Sequence, residues 1–586
     1  MTLVGCRFMG DIKIDFSIQS QTEYSINPNS ICRRFLPMEN GKGKRVEAID
    51  DQLQLPESII QHIQSFLTGK EAASTAVLSK SWYNSWLTRP ALDFDERNFQ
   101  NQNSDPQNDD KFFNFVKRSM ERYHGLNLTI ESFKLWMSVR DVDSSSLASE
   151  LIVKAVKMGA NGVNLEFSPP ISEYILPKEL LEAESLVGLS LAGCKIFSGE
   201  VMCLRLKSLR LCKVCVEDDM IRDIMLGCPM IENFVLSDCE GFVKVNVSKM
   251  VELKRFSVIR HVTNPVVFRS PFIEFEEQSV GSIIDGRANL SEFRKLSCLF
   301  LESVKIGKML FSDFSNKFPC LEDLTVHHCV GCFVFNISSQ SLKYISLAHT
   351  RRLEVQLDVP NIHKIKFSGS SIPSLTFITA SREWESDIAL SCWNYLGVSW
   401  LLELKKFLTN LGPSRITLRI ELFAENRIDC LPVVQGLSKP IVENLILMAH
   451  SSYSVSSTLL DGIFWSFRPK VITQCLFPVL GIKSANTNII QPQFWKASND
   501  LLRLLCNRLM DIENSNCCNS IEKNIGWHEL EEVNAEFFSD TIMEWQPLPW
   551  KTLLDDVESP EKEVQIRFLL RWQSPENAGP SHGPLD

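Results

Sequence analysis

The sequence repeats a short apolar pattern, L-x-x-L-x-L, at close and nearly regular intervals. The pattern begins at residues 186, 206, 231, 253, 296, 321, 342 and 362, so successive starts differ by 20, 25, 22, 43, 25, 21 and 20 residues. Each copy fits a short strand whose leucines point into a core while the residues between them face outward. Because one such strand cannot bury its apolar side alone, the copies must stack on one another.

Interval and pattern together are typical of leucine-rich repeats, whose period is about 20–29 residues. The interval of 43 residues fits two repeats, with a degenerate copy at Phe272-Ile273-Glu274-Phe275 near its middle. Weaker candidate strands flank the array: LNLTI at 126, GVNLEF at 162, RITLRI at 415 and VENLIL at 442. We therefore expect a leucine-rich-repeat solenoid over residues 120–450.

The ninth position of the pattern supports this interpretation. It is a sulfur-containing or hydroxyl residue in five copies: Cys194, Cys239, Cys329, Thr350 and Ser370. In such repeats this position points inward and hydrogen-bonds the turning backbone, which suits these residue types. Three copies depart from it, at Val214, His261 and Val304, so we expect the solenoid to be irregular.

The segment LPESIIQHIQSFLTGKEAASTAVLSKSWYNSWLTRPAL at residues 55–92 predicts three short helices. Pro56 suits the first helical position, and Gly69 fits a left-handed C-cap. A second helix follows through Ala72, and Ser79 is a candidate N-cap for the third. Three helices in about forty residues cannot bury all of this apolar surface alone, so a partner should cover the rest.

The spaced order LP…I…I..FL…A..T.VLSK.W…W in this segment resembles an F-box, in particular the plant type followed by leucine-rich repeats. The resemblance implies docking onto a Skp-type adaptor of a cullin–RING ubiquitin ligase. Ser81 departs from it, because plant relatives usually carry arginine there, and this puts one polar contact in doubt. The alternative is a three-helix piece of an ordinary core. The adaptor-binding residues that the resemblance implies are Leu55, Pro56, Ile59, Ile63, Phe66, Leu67, Val77, Leu78, Lys80, Trp82 and Trp86.

The expected fold class is α/β: a three-helix F-box, an irregular leucine-rich-repeat solenoid and a C-terminal α+β capping region. In the capping region, residues 499–510 are apolar at helical spacing and residues 564–572 alternate like a strand. Met38 is a candidate working start, because the residues after it resemble the beginning of F-box relatives. The expected divisions are an extension at 1–50, the F-box at 51–95, a polar linker at 96–119, the solenoid at 120–450, the cap at 451–572 and a disordered tail at 573–586.

Composition argues against several classes of partner. A net charge of −10 and a pI near 5.7 disfavour nucleic acid. The sequence lacks the run of about eighteen apolar residues that a membrane-spanning helix needs, and its first residues lack the features of a secretory signal. The 18 cysteines are scattered without disulfide spacing, which favours a reducing compartment. We expect a cytoplasmic or nuclear protein with no membrane partner.

Two clusters have zinc-like spacing, Cys212-x-x-Cys215 and His327-His328-Cys329-x-x-Cys332. Cys329 is already assigned to the inward position of its repeat, and neither cluster has a second pair in register, so we expect no metal or other cofactor. No phosphate-binding glycine loop or nucleophile elbow occurs. The chain is expected to be a receptor and not an enzyme.

The function that these features predict is a substrate-recognition subunit of a Skp–cullin–F-box ubiquitin ligase. An F-box scaffold outside a ligase and a repeat-only binding module remain as alternatives. Target binding is expected on the strand face, where the residues between the leucines are exposed. The candidates are Lys207, Arg210, Lys254, Arg255, Glu322, His327, Lys343, Tyr344, Lys364 and Lys366.

Overall fold

The structure is a computed structural model. It describes residues 55–99, 107–168, 174–196, 201–216, 218–241, 244–245, 250–260, 283–284, 293–306, 311, 313–330, 334–349, 352–393, 396–412, 414–423, 439–450, 456–476, 491–514, 529–539, 542–550, 552–553 and 564–573. The expected N-terminal extension, Met38, and the tail beyond 573 lie outside these residues. The chain divides into two compact units, Met1–Leu128 and Thr129–Asp586.

The first unit is mainly helical. Its elements are α1 (Glu57–Ser65), α2 (Gly69–Thr75), α3 (Lys80–Thr88), β1 (Ala91–Asp95), a 3-10 helix (Glu96–Phe99) and α4 (Gln107–Gly125). Pro56 precedes α1, and a capping box between Thr68 and Glu71 begins α2. The Ser79 side chain accepts a hydrogen bond from the Trp82 amide, so the predicted cap of α3 is confirmed.

Gly69 has a different role from the one expected. It is the first residue of α2 and not a left-handed cap of α1, whose C-cap, Phe66, has a right-handed conformation. The Gly69 amide donates to Asp93 Oδ2 at 2.9 Å. A Cβ at this position would lie 2.9 Å from the Asp93 carbonyl oxygen, so close approach of two backbones explains the glycine.

The segment expected to be a polar linker, residues 96–119, instead carries the 3-10 helix and most of α4. The apolar stripe of α4, Phe112, Val116, Met120 and Tyr123, is buried. The polar start of the helix concealed this periodicity. The strand expected at 126 is also absent, because Leu126–Leu128 closes α4: Asn127 has φ 50° and the Leu128 amide donates to the Tyr123 carbonyl.

The second unit is built on parallel strands. Its strands are β2 (Ser132–Ser138), β3 (Gly162–Ser168), β4 (Gly188–Ala192), β5 (Ser208–Cys212), β6 (Asn233–Ser237), β7 (Lys244–Val245), β8 (Arg255–Ile259), β9 (Ile283–Ile284), β10 (Cys298–Glu302), β11 (Lys305–Ile306), β12 (Asp323–His327), β13 (Val334–Ser338), β14 (Tyr344–His349), β15 (Glu354–Val359), β16 (Lys364–Gly369), β17 (Ser374–Ala380), β18 (Glu385–Cys392), β19 (Arg415–Leu422), β20 (Ile441–Ala449), β21 (Arg468–Leu476), β22 (Leu530–Ser539), β23 (Glu544–Pro547) and β24 (Val564–Trp572). Its helices are α5 (Val142–Lys157), α6 (Lys178–Leu181), α7 (Asp218–Gly227), α8 (Phe314–Lys317), α9 (Val398–Asn410), α10 (Ser457–Ser466) and α11 (Gln491–Asn514).

One parallel ladder runs through the repeats. It joins β2, β3, β4, β5, β6, β8, β10, β12, β14, β16, β18, β19, β20 and β21 in that order. In all eight predicted copies the strand begins two residues into the pattern, and the three pattern residues are buried. The strands expected at 162, 415 and 442 are likewise confirmed, as β3, β19 and β20. The chain is therefore a mixed α/β protein with a long parallel sheet.

The interval of 43 residues is not two coils of this ladder. β8 pairs directly with β10, with Arg255 opposite Cys298 and Ile259 opposite Glu302. The two strands are therefore direct neighbours in the ladder, and the interval adds no coil to the ladder between them. The degenerate copy proposed at 272–275 lies outside the described residues.

The ladder extends past residue 450 before its connectivity changes. β21 is still parallel to β20, and β24 then pairs antiparallel with β21, followed by β22 and β23. The helix expected at 499–510 is part of α11, and the strand expected at 564–572 is β24. Two small parallel sheets, β7–β9–β11 and β13–β15–β17, form further sides of the coils.

Candidate functional site: an apolar helix surface and a strand face

The first three helices carry a set of apolar side chains that the rest of the unit leaves uncovered. Ile59, Ile63 and Phe66 follow one face of α1 and its end. Their exposed fractions, with those of Leu55, Val77 and Leu78, lie between 37% and 77%. We call these six residues the apolar helix surface. Exposed patches of large apolar residues mark interaction sites in soluble proteins.

The opposite side of the same helices is closed. Ile60, Ala72 and Ala76 are buried, and so is the polar side chain of Gln64. Gln64 Nε2 donates to Thr75 Oγ1 at 2.9 Å and to the Trp82 carbonyl at 3.2 Å. One amide therefore links α1 to α2 and α3. Sequence reasoning missed Gln64, although a glutamine within an apolar helical stripe was a visible signal.

The other expected adaptor-binding residues are less exposed or more peripheral. Pro56 and Lys80 are exposed at the starts of α1 and α3, and Leu67 is half-buried. Trp82 and Trp86 are half-buried as well. The Arg122 guanidinium of α4 lies over the Trp86 ring at 5.9 Å, so part of Trp86 packs within the unit.

In the second unit, each coil from β4 to β6, and again at β10 and β12, leaves its strand by the same backbone turn. The residue after the strand has a positive φ of 50–72°: Gly193, Lys213, Asp238, Ser303 and His328. Its amide donates to a carbonyl at the end of the neighbouring strand in the ladder, as from Lys213 to Ser237 at 2.8 Å. These turns place the following residue inward.

That inward residue is the ninth pattern position. Cys194, Cys239 and Cys329 are buried, and the thiols of the last two donate to the carbonyls of Leu211 and Leu301. Burial raises the pKa of all three thiols to about 12. Val214 and Val304, expected to break the pattern, are buried at the same position of their copies, so valine occupies it as well as cysteine. Ser370 is exposed, contrary to expectation, and Thr350 and His261 lie outside the described residues.

Six of the ten expected target-binding residues lie on strands of the ladder, and the other four, Lys207, Lys254, Glu322 and Lys343, lie one residue before a strand. Ion pairs between coils occupy several of them. Lys207 and Lys254 both contact Glu232, at 3.4 and 2.7 Å, and these contacts lower the pKa of Glu232. The remaining pairs join Lys343 to Glu322 at 2.8 Å and Lys364 to Glu385 at 3.5 Å. The charges of these lysines are therefore already paired with glutamates of the same chain.

Several of the expected target-binding residues occupy matching register positions on successive strands, so they form rows across the ladder. Arg255, Tyr344 and Lys364 share one row, and Arg210 and Lys366 share another. Tyr344 is 47% exposed, with its ring 6.0 Å from that of His363. His327 Nε2 lies 2.8 Å from Ser346 Oγ, and burial lowers the pKa of His327 to about 4.

Sequence reasoning also missed a stack of aromatic rings. Trp393, Phe423 and His450 each follow the last residue of β18, β19 and β20. The Trp393 and Phe423 ring centroids are 3.8 Å apart with planes 9° from parallel, and those of Phe423 and His450 are 4.0 Å apart at 8°. The signal was the position of each ring directly after an alternating strand.

Within the described residues, no three His, Cys, Asp or Glu side chains are grouped as metal ligands would be. Cys332 lies outside those residues, while the nearby His349 bonds the Cys329 carbonyl at 2.7 Å. In the part of the chain that the structure describes, helices long and apolar enough to cross a bilayer are absent.

The repeated strands, left-handed turns and buried cysteines are typical of leucine-rich repeats. A family model described as "At1g61320/AtMIF1, LRR domain" matches residues 120–267. Proteins of Arabidopsis thaliana confirm the resemblance to the plant F-box/leucine-rich-repeat family, to which the chain is similar.

Three of these relatives illustrate the similarity. F-box/LRR-repeat protein At3g59200 is 31% identical over 276 residues, 44% of this chain and 50% of the relative. F-box/LRR-repeat protein At4g14103 is 31% identical over 194 residues, 32% of this chain and 50% of the relative. F-box/LRR-repeat protein At4g14096 is 31% identical over 213 residues, 35% of this chain and 44% of the relative. The matches thus cover about half the length of each relative.

Proposed function

We propose that this chain is the substrate-recognition subunit of a Skp–cullin–F-box ubiquitin ligase. Its helices α1 to α3 act as the F-box and bind a Skp-type adaptor, and its repeats form a solenoid that binds a target protein. The observation that carries the proposal is the apolar helix surface. The names of the relatives, which join an F-box to leucine-rich repeats, support the same assignment.

The division of α1 into two faces is what an adaptor-binding element requires. Ile60 and Gln64 hold the three helices together from within, so Ile59, Ile63 and Phe66 are presented on a preformed surface. A preformed surface loses little conformational entropy when it binds. The proposed interface therefore has apolar anchors at its centre, with Lys80 at its edge.

The contribution of the chain to ubiquitin transfer is positional. A target held on the strand face and a conjugating enzyme held through the adaptor belong to one assembly, which raises their effective concentration. This function needs no nucleophile or cofactor in the chain, and it is exercised in the cytoplasm or the nucleus.

The test compares two neighbouring isoleucines in the full chain. Ile59→Ala should weaken capture of a purified Skp-type adaptor by at least about tenfold, because truncating a central anchor costs about 2 kcal/mol. Hydrogen exchange in residues 57–88 should not change. Ile60→Ala, at a buried position, should instead speed that exchange, since truncating a buried isoleucine costs about 2–5 kcal/mol.

Undiminished adaptor capture by an Ile59→Ala, Phe66→Ala double variant would contradict the proposal. Failure of the wild-type chain to capture any adaptor would favour a repeat-only binding module. Adaptor capture without cullin co-purification or partner turnover would favour a scaffold outside a ligase.

A further inference from the structure

Two cysteines occupy the same position in successive coils of the ladder. Cys203 lies five residues before β5, and Cys228 lies five residues before β6. The Cys203 carbonyl accepts a hydrogen bond from the Leu206 amide at 3.0 Å, and the same turn recurs one coil later. There the Cys228 carbonyl accepts from the Ile231 amide at 3.4 Å. Because β5 and β6 pair in parallel without a shift of register, the two turns are stacked as well.

The backbones of these two coils are in close contact beside the cysteines. A Cβ at Gly227 would lie 1.5 Å from the Val201 carbonyl oxygen, so glycine is what allows this approach. Neighbouring strands of a sheet lie about 4.8 Å apart. A disulfide needs two Cα atoms about 4.4–6.8 Å apart. Cysteines at one position of two stacked coils therefore have the spacing that a disulfide requires.

The two thiols are also buried together. Cys203 and Cys228 are both fully buried, and both line one small cavity of about 10 Å³ whose other walls are apolar side chains. The Cys203 thiol has two acceptors, the Leu181 carbonyl oxygen at 3.1 Å and the sulfur of Cys228. The hydrogen bond from Cys203 holds the pKa of Cys228 below its usual value, because it stabilises the thiolate of Cys228.

We propose that Cys203 and Cys228 are a site of reversible oxidation, at which a small peroxide such as hydrogen peroxide forms a disulfide between the two coils. The Cys228 thiolate attacks one peroxide oxygen, the O–O bond breaks, and the products are a sulfenic acid at Cys228 and hydroxide. The Cys203 sulfur then attacks the sulfenic sulfur: the S–S bond forms, the S–O bond breaks and the hydroxide leaves. The two thiols lose two electrons, and their protons convert both hydroxides to water.

This modification goes beyond the proposed ligase function, because it concerns the repeats alone. In a reducing compartment cellular thiols reopen such a bond, so the disulfide responds to peroxide and is not permanent. The loop that the bond closes contains β5 and α7. Lys207 and Arg210, two of the expected target-binding residues, belong to this loop.

The chain provides a matched negative control. Cys194 and Cys239 also occupy one position of their coils, but Val214 occupies that position in the coil between them. Twice the strand spacing is about 10 Å, which exceeds the reach of a disulfide. These two thiols should therefore remain unlinked under the conditions that link Cys203 to Cys228.

The test treats the reduced full chain with hydrogen peroxide, removes the peroxide with catalase and then blocks the remaining thiols with iodoacetamide in denaturant. Digestion without reduction uses trypsin and a glutamate-specific protease, which separate Cys228 from Cys239 because Glu232 lies between them. Mass analysis should find the Cys203 peptide joined to the Cys228 peptide, and dithiothreitol should release both. At least about tenfold less material should join Cys194 to Cys239, since the geometry excludes that link.

Two variants test the order of the two steps. In Cys203→Ala the sulfenic acid at Cys228 has no partner thiol, so dimedone added with the denaturant should label Cys228. In Cys228→Ala the label on Cys203 should be at least about fivefold weaker, because Cys203 lacks a thiol that stabilises its thiolate. Stronger labelling of Cys203 would overturn the assignment of Cys228 as the attacking sulfur.

The inference is overturned if Cys203 and Cys228 both remain thiols in the native wild-type chain after the exposed Cys320 has been fully oxidised. A link that forms only when peroxide is added in denaturant would overturn it too. Equal linkage of Cys194 to Cys239 would have the same meaning, because the stacking of the native coils would then not select the pair. These outcomes need only the wild-type chain, so they decide the matter even if a variant fails to fold.

Discussion

The Gln64 side chain donates to Thr75 Oγ1 at 2.9 Å, and Thr75 Oγ1 in turn donates to the Ala72 carbonyl at 2.7 Å. Gln64 is fully buried, so this chain of hydrogen bonds lies inside the three-helix segment. The two bonds of Gln64 Nε2 favour one arrangement of the helices, although the buried Gln64 Oε1 has no hydrogen-bond partner among the described residues.

Replacing Gln64 by leucine should therefore loosen the segment although leucine is apolar. The Trp82 carbonyl and Thr75 would lose a buried partner, at a cost of about 1–3 kcal/mol. Hydrogen exchange of residues 57–88 in the full chain should accelerate by about tenfold or more, since about 1.4 kcal/mol corresponds to a factor of ten.

Gln61→Leu provides the matched control. Gln61 lies three residues earlier on α1, partly exposed, and reaches Glu57 and Thr88 only at 3.5 Å. Its loss should change exchange by less than about threefold, as expected for a surface substitution. Similar effects of the two variants would show that Gln64 is not the link between the helices.

The buried cysteines should resist alkylation in the native chain. Burial raises the pKa of Cys194, Cys239 and Cys329 to about 12, so at pH 8 they hold almost no reactive thiolate and are also inaccessible. Cys320 is exposed and serves as the internal control. Iodoacetamide treatment followed by peptide mass analysis should modify Cys320 first, and the other three only after denaturation.

Stability should decline on acidification because two histidines are held neutral. Burial is the main cause that lowers the pKa of His327 and His450 to about 4, against an ordinary value of 6.5. Between these values the unfolded chain binds more protons than the folded chain. The free energy of unfolding is therefore unaffected by these two histidines above pH 6.5. It decreases from there toward pH 4, by up to about 1.4 kcal/mol per pH unit for each histidine.

Thermal unfolding measured from pH 7 to pH 4.5 should show this slope. His327→Gln keeps a side chain able to bond Ser346 but cannot titrate, so its melting temperature should fall less steeply over the same window. An unchanged slope in this variant would assign the acid sensitivity to other groups.

A triple variant tests the strand face near β14 and β16. Replacing Lys343, Tyr344 and Lys364 by alanine removes an exposed aromatic and two surface ion pairs, each worth about 0–1 kcal/mol to stability. We expect weaker target capture with unchanged adaptor binding and a melting temperature within a few degrees. Full retention of the target by this variant would contradict a target-binding surface at β14 and β16.

The strands were predictable because their signal is local. Leucines at the first, fourth and sixth positions of a copy reach one core whatever its neighbours are, and β5 or β14 could be placed from six residues alone. The set Ile59, Ile63 and Phe66 was implied by the resemblance to F-boxes, because helical spacing alone did not separate these residues from the buried Ile60.

Features that depend on register were not predictable. The pairing of β8 with β10 spans an interval of 43 residues between pattern starts, whose length alone suggested another coil. Lys343 and Glu322 are 21 residues apart and meet only because their coils align. The ring stack joins residues from three coils of unequal length, so the position of each ring after its strand did not reveal that the rings would stack.

The antiparallel strand β24 gives the parallel sheet a closed end. Its bonds to β21 occupy backbone groups that would otherwise form a bare sheet edge, and such edges recruit strands from other molecules. A C-terminal truncation used to map target binding would consequently expose the edge of β21 and favour self-association of the fragment. Partners that such a fragment lost or gained would then reflect its self-association and not target recognition. Point substitutions that leave β24 in place are the means to dissect recognition in this molecule.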